Sequence, residues 1–187
     1  MRCVLIKLFV LATMCVFSSQ IAKSATNSSK NEAKLYLKSL CTSCCNIDSI
    51  IFYYIDFSTN TFSSITRHKF VNYSIYGSSR VDYKKTLYKS ESLEFKAFFS
   101  KLNNLECDSI MPYDTQHVNC RLFGGKNGVV LSREEVGGDV RCMVILYREE
   151  NIELVWLTTT HAFIGKGRFT LTDDLRNFVD KICRQKM

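Results

Sequence analysis

Apolar positions fall into strand-length runs along this chain. Two runs, Cys142–Tyr147 and Ile152–Leu157, are rich in β-branched and aromatic residues, and the charged link Arg148–Asn151 separates them. Runs of this length and composition, joined by a short polar link, predict a buried antiparallel hairpin. A third run, Ile50–Ile55, predicts one more strand. The hairpin is therefore the expected centre of a sheet.

Other segments have apolar residues at helical spacing. One helix is predicted over Leu93–Leu102, and another after the start signal Thr172–Leu175, where two aspartates suit the positive end of the helix dipole. The second helix has its apolar residues on one face: Leu175, Phe178, Val179 and Ile182. A further helix is expected through Ile65 and Phe70, whereas Glu106–Asn119, which holds the single proline, is predicted to be a loop.

The first 25 residues have the pattern of a secretory signal peptide. Basic Arg2 and Lys7 come first, the apolar run Leu8–Phe17 follows, and small residues lead to a cleavage site near Ala25. The apolar run is too short for a good membrane span. We therefore expect a secreted protein without a membrane anchor after cleavage, with a retained anchor as the alternative.

The rest of the chain divides into a lead-in and one domain. Residues 26–40 are predicted to be a polar lead-in, with a short helix or strand in its second half, and residues 41–187 have the length of a single domain. Asn27 and Asn72 each begin an Asn-x-Ser sequon, so both are candidate glycosylation sites in an exported chain.

Seven of the nine cysteines follow the cleavage site: Cys41, Cys44, Cys45, Cys107, Cys120, Cys142 and Cys183. An exported chain meets oxidising conditions, so disulfides are expected, and the odd number leaves at least one thiol free or paired between chains. The preferred hypothesis is a bridge from Cys44 or Cys45 to Cys183, with Cys120 and Cys142 as further candidates. No metal or other cofactor is expected, because the spacing offers no second close pair of ligands.

The formal net charge is +7, and removal of the three basic residues of the signal peptide leaves +4. Basic residues concentrate between Arg67 and Lys101, where aromatic residues interleave with them. This interleaving is typical of surfaces that stack and steer RNA, and the candidate residues are Tyr83, Lys84, Lys85 and Lys89. A solvated basic face over buried aromatic side chains gives the same pattern, so both interpretations stay open.

The stretch Gly137–Phe169 resembles a known family. A glycine-preceded arginine leads into the apolar hairpin, the second strand ends in Thr160-His161, and a glycine loop precedes Phe169. This order resembles the C-terminal half of the fungal guanyl-specific ribonucleases and, more closely, the ribonuclease-like secreted effectors of powdery mildew fungi. The resemblance implies an α+β fold with an antiparallel β-sheet packed on one main α-helix, disulfide-stabilised, here with an extra C-terminal helix.

The family resemblance can be followed residue by residue. Active members cleave RNA by attack of the 2′-OH, which needs a base, an acid and a phosphate clamp. His161 stands where the family has its general acid, and Arg141 stands near the phosphate-clamping arginine, with Arg148 as a rival. The family's base would lie around Cys120–Phe123, where no acidic residue occurs, and Lys85 replaces the histidine of the family's Tyr-x-His pair.

The incomplete catalytic set favours a non-catalytic scaffold. We expect a secreted virulence effector that binds a host protein or host RNA, not DNA, and interferes with host defence; delivery into host cells is implied by the resemblance alone. One alternative is an active secreted ribonuclease that uses His161 with Glu134 or Glu135. Another is an unrelated secreted β-rich protein that modulates immunity or binds a ligand. His161 and Arg141 also fit purely structural roles at strand ends.

Overall fold

The computed structural model describes residues 27–59, 63–67, 69–71, 81–89, 92–112, 138–148 and 151–185. The strands are β1 Ser49–Tyr54, β2 Tyr83–Tyr88, β3 Cys107–Ile110, β4 Val140–Arg148, β5 Asn151–Thr158, β6 His161–Ile164 and β7 Gly167–Thr170. The helices are α1 over 27–42, a short α2 at 67 and 69–71, α3 Ser92–Asn103 and α4 Asp173–Arg184. The α+β class and the C-terminal helix are confirmed.

All seven strands form one antiparallel sheet in the order β2-β1-β4-β5-β6-β7-β3. The predicted hairpin is the β4–β5 pair, which closes at the partners Arg148 and Asn151. β1 pairs with the other side of β4, from Ser49 opposite Tyr147 to Tyr54 opposite Cys142. Among the described residues, the sheet therefore ends in two edge strands, β2 on one side and β3 on the other.

One face of the sheet is buried against three helices, which corrects the expectation of one main helix. Alternate strand residues such as Phe52, Val144 and Val155 contact this helix layer. The helices contribute apolar residues at helical spacing: Ala33, Leu37 and Leu40 from α1, Phe95, Phe98, Phe99 and Leu102 from α3, and Leu175, Val179 and Ile182 from α4. A sheet this wide needs more than one helix to cover its face.

The opposite face of the central strands is buried as well. Met143, Ile145 and Trp156 form a second cluster with Phe163, and α2 adds residues such as Phe70. Burial on both faces explains why β4 and β5 appear in the sequence as continuous apolar runs rather than as alternating ones.

Helix α1 lies where the sequence predicted a polar lead-in. Its buried residues are spaced four and three positions apart, at 33, 37 and 40, so one narrow stripe docks on the sheet while the rest of the helix faces solvent. The folded part of the chain therefore extends back at least to residue 27. The predicted signal peptide, residues 1–25, lies outside the described residues, and no described helix is long and apolar enough to cross a membrane.

Two predicted loops contain strands. The segment from Glu106 includes β3, which pairs with β7 through a β-bulge after Cys107. The glycine loop before Phe169 is the tight turn of the β6–β7 hairpin, in which Gly165 has a φ of 56°. A side chain at Gly165 would be strained at that φ, so glycine suits this turn.

Candidate functional site

Arg141 is held in a structural ion pair. Its side chain is buried, with 4% of the residue exposed. Nη2 donates to Asp139 Oδ2 at 2.5 Å, and Nη1 donates to the backbone carbonyl of Asp56 at 3.2 Å. Asp139 Oδ1 accepts from the Ile65 amide at 2.6 Å. The guanidinium therefore joins the start of β4 to the end of β1, and it does not present a surface to a phosphate group.

Arg148, the rival for the same role, is also engaged. Its Nη2 donates to Ser43 Oγ at 2.9 Å and lies 3.7 Å from Glu153 Oε1. These contacts join the end of β4 to the 3-10 turn that follows α1. Arg141 is buried and Arg148 is held by Ser43 and Glu153, so neither arginine that the resemblance pointed to is available as a phosphate clamp.

The threonines at the end of β5 build a polar turn that positions His161. The buried Thr158 hydroxyl donates to the His161 carbonyl at 3.1 Å and accepts from the His161 amide at 2.9 Å. Thr160 Oγ1 shares a 2.7 Å hydrogen bond with His161 Nδ1. The threonine side chains between β5 and β6 thus hydrogen-bond the backbone groups of this turn and hold His161, the first residue of β6, in place. This arrangement fits the structural role predicted for His161.

His161 nevertheless lies in a polar cluster, the β3–β6–β7 corner, formed by Asp108, Thr160, His161 and Arg168. His161 Nε2 is 3.7 Å from Asp108 Oδ2. Arg168 Nε and Nη2 donate to that same oxygen at 2.8 and 2.5 Å. All three charged or titratable side chains are 29 to 38% exposed, so the corner is an open surface site.

Sheet register brings these residues together. In the β6–β7 hairpin, His161 is opposite Thr170 and Phe163 is opposite Arg168, which puts His161 and Arg168 on one face. β3 then pairs with β7, with Ser109 opposite Arg168. Asp108 and Arg168 were not among the sequence candidates. The alternation of polar and apolar residues over Arg168–Thr170 was a sequence signal for a strand there.

The electrostatics of the corner limit its chemistry. Hydrogen bonding from the Arg168 guanidinium holds the pKa of the Asp108 carboxyl below its usual value. A carboxylate already bound by a guanidinium is a weak proton acceptor, and the guanidinium is occupied too. The corner therefore has an imidazole with a carboxylate nearby but no unengaged base. Glu134 and Glu135, the alternative bases, lie outside the described residues.

The four RNA-binding candidates do not share one surface. Along β2, Tyr83 and Lys85 are opposite Tyr54 and Phe52 and point to the helix side, whereas Lys84 is opposite Tyr53 and points to the other side. Lys84 Nζ lies 5.2 Å from the centre of the Tyr53 ring. Lys89 follows the strand and donates to the backbone carbonyl of Cys45.

The six described cysteines are free thiols in the structure: Cys41, Cys44, Cys45, Cys107, Cys142 and Cys183. Cys44 and Cys45 lie on the 3-10 turn Ser43–Asn46. Cys142 and Cys183 are buried in the helix-layer core, whereas Cys44 is partly buried against that core and Cys45 is exposed. Cys120 lies outside the described residues, as does the sequon at Asn72, while Asn27 is exposed at the start of the described part of α1.

A cleft of about 400 Å³ lies between α1 and the β6–β7 turn. Its walls include Glu32, Tyr36, Ile110 and Lys166. The hydroxyl of Tyr36 donates to Glu153 at 3.3 Å. Within the described ranges, no group of three or more His, Cys, Asp or Glu residues is arranged to hold a metal ion.

No family model, curated protein or solved structure matches this chain.

Proposed function

We propose that this chain is an exported, non-catalytic binding protein of the effector type, which engages an extended acidic segment of a partner protein through the edge strand β2. The observation that carries this proposal is the position of β2 at the edge of the described sheet. Among the described strands, β2 has one neighbour, β1, so its outer side presents backbone N–H and C=O groups that can pair with another strand.

The side chains of β2 favour an acidic partner. Lys84 and Lys85 lie on opposite faces of the strand, and Lys89 follows it directly. Tyr83 and Tyr88 are 40% and 57% exposed, so each end of the strand offers an aromatic surface. An added strand would have a lysine on each face, which suits a segment with acidic residues on both of its faces.

A protein partner fits this arrangement better than RNA. An RNA strand follows a continuous basic groove with stacking platforms on the same side. Here adjacent lysines point to opposite faces, which breaks such a track but suits main-chain pairing with alternate side chains. A role against host defence, and a ribonuclease-like origin of the scaffold, rest on the resemblance of Gly137–Phe169 alone.

The absence of catalysis is supported by the engaged arginine. Arg141 would have to clamp a phosphate, yet its guanidinium is used by Asp139 and by the Asp56 carbonyl. A second candidate function, RNA cleavage, is favoured by one contact, the 3.7 Å approach of His161 to Asp108. In that reaction His161 would move a proton beside Arg168, so the two functions predict different effects of His161→Ala.

The first experiment separates binding from cleavage. Folded protein is titrated with labelled single-stranded RNA, and both retention and cleavage are scored over a range of salt concentrations. We expect no cleavage and little retention. Cleavage that disappears in His161→Ala would replace the binding proposal by the ribonuclease, whereas strong, salt-sensitive retention without cleavage would replace the protein partner by RNA.

The second experiment tests the edge directly. The probe is a labelled peptide of alternating glutamate and valine, and the variant is Lys84→Glu, Lys85→Glu, Lys89→Glu. We expect saturable binding that weakens about tenfold in the variant, since three partly exposed charge contacts are lost. The matched control, Lys38→Glu, Lys96→Glu, Lys181→Glu, reverses three exposed lysines on the helices and should bind as the unaltered chain does. Equal weakening in both variants would argue against a site on β2.

A further inference from the structure

Cys142 lies at a crowded point of the helix-layer core. It is the third residue of β4, it is fully buried, and its partner on β1 is Tyr54. Its side chain belongs to the same core cluster as Val144 and Leu146, so it points towards the layer formed by α1, α3 and α4. Helix α2 lies on the opposite face of the sheet. A thiol at this position faces the helix layer.

The last turn of α4 lies directly above that point. Asp180 of α4 accepts a hydrogen bond from the Tyr54 hydroxyl, and Tyr54 is the cross-strand partner of Cys142. Cys183 follows Asp180 by three residues, so it lies on the same helix face one turn further on. Cys183 is 5% exposed and belongs to the same core cluster as Cys142.

The electrostatic surroundings of both thiols agree with this placement. Burial raises the pKa of the Cys142 thiol well above its ordinary value, and the neighbouring Cys183 sulfur raises it further. Burial, together with Asp180, raises the pKa of Cys183 to about 12. Each thiol is therefore held neutral and unreactive in the folded, reduced protein.

We propose that Cys142 and Cys183 form a disulfide that joins β4 to the end of α4. The two thiols lose two protons and two electrons, and a new S–S bond forms. The oxidant is a small-molecule or protein disulfide, which accepts the electrons and is released as two thiols. Because both thiols are buried in the folded protein, exchange has to take place while α4 is still undocked.

The same geometry disfavours a bridge from Cys183 to Cys44 or Cys45. Ser43, next to Cys44, is hydrogen-bonded to Arg148 at the far end of β4. Arg148 is six residues beyond Cys142, a separation of about 20 Å along a strand. Since bridged cysteines have Cα atoms less than about 7 Å apart, Cys183 cannot reach both ends of β4.

Tryptic mapping tests the pairing without ambiguity. The reduced, unfolded full-length chain is refolded in a mixture of glutathione and glutathione disulfide, and free thiols are then alkylated under denaturing conditions, where buried thiols also react. Cleavage after Arg141 and Arg148 releases Cys142 in a peptide with no other cysteine. Cleavage after Lys181 and Arg184 does the same for Cys183. We expect these two peptides to be recovered as one linked species, lighter than their sum by two hydrogen atoms.

Two variants control the result. Cys45→Ser alters an exposed thiol and should leave the linked species unchanged, whereas Cys183→Ala should abolish it and leave Cys142 alkylated. The proposal is overturned if the folded, unaltered chain gives both peptides in alkylated form. It is equally overturned if the Cys183 peptide is linked to the long peptide that contains Cys41, Cys44 and Cys45.

Discussion

Tyr54 on β1 donates the hydrogen bond of its buried hydroxyl to the Asp180 carboxylate on α4. The same hydroxyl accepts from the Phe57 amide at 3.2 Å, and Arg184 donates to Asp180 Oδ1 at 2.8 Å. Arg184 also reaches Asp56 at 2.5 Å. One phenol thus connects the end of a central strand, the loop that follows it and the C-terminal helix. The burial and the Asp180 contact raise the pKa of Tyr54, so it stays protonated and can donate.

Removal of that hydroxyl is expected to destabilise the fold without changing its shape. In Tyr54→Phe, the Phe57 amide and one Asp180 oxygen lose a partner, and the free energy of unfolding should fall by about 1–3 kcal/mol. Denaturant unfolding followed by circular dichroism measures the change. Tyr83→Phe, which alters an exposed ring next to Tyr54, is the control and should unfold as the unaltered chain does.

The ion pair between Asp139 and Arg141 gives a second prediction. Arg141→Met leaves the Asp139 carboxylate 17% exposed beside apolar residues and without its cation. We expect a loss of about 3–5 kcal/mol in the free energy of unfolding.

The double variant Asp139→Asn, Arg141→Met removes both charges and separates the two possible roles of the pair. It should recover part of the lost stability, because no buried charge is left unpaired. A fully stable Arg141→Met variant with altered RNA retention would instead assign Arg141 to a binding site.

Acid should weaken the fold partly through Asp56. Hydrogen bonding from Ser58, together with Arg184, lowers the pKa of the Asp56 carboxyl below its ordinary 3.8. The unfolded chain therefore takes up this proton first as the pH falls, so the stabilisation is complete above about pH 4 and is lost below it.

The measurement is the free energy of unfolding as a function of pH for two variants. Asp56→Asn should show a shallower loss of the free energy of unfolding as the pH falls below about 4, because it has no carboxyl group to protonate. Glu106→Gln, at an exposed carboxylate before β3, should keep the slope of the unaltered chain. Equal slopes in all three proteins would contradict the role given to Asp56.

Gly167 lies at a close approach between β7 and α1. A Cβ at this position would come within 2.4 Å of the Phe169 ring and 3.1 Å of Ala33 Cβ. Both neighbours are buried, so Gly167→Ala should destabilise the fold by about 1–3 kcal/mol through overpacking. Thermal unfolding measures it, and Thr170→Ala at an exposed position of the same strand is the control. An unchanged melting temperature would mean that the Phe169 ring and α1 can both move away from residue 167.

Local pattern predicted several elements of this fold. The apolar runs marked β1, β4 and β5, and apolar spacing marked α3 and α4. The helix start at Thr172 is confirmed by its side chain, which accepts from the Leu175 amide at 3.3 Å. In each case the residues that determine the element are close together in the chain, so their periodicity alone predicts whether the segment is a strand or a helix.

Pairing between residues that are distant in the chain leaves no such local pattern in the sequence. Asp108 contacts Arg168 because β3 pairs with β7, the outer strand of the β6–β7 hairpin. No residue spacing within either segment predicts this contact. Likewise, Lys84 and Lys85 look like one basic patch in the sequence, whereas strand geometry sends them to opposite faces. Helix α1 was predicted only in part, as a short helix or strand in the second half of a polar lead-in, because its three buried residues gain their importance from the sheet on which they pack.

The strand order also sets the sequence of events in folding. β1 pairs on one side with β2, the next strand in the chain, and on its other side with the more distant β4. β3 likewise pairs with the distant β7. Pairings between remote segments are slow to form, because a long stretch of chain must close before they contribute. The β1–β2 pair can therefore form from residues 49–88 alone, whereas β3 can pair only once residues 167–170 are present.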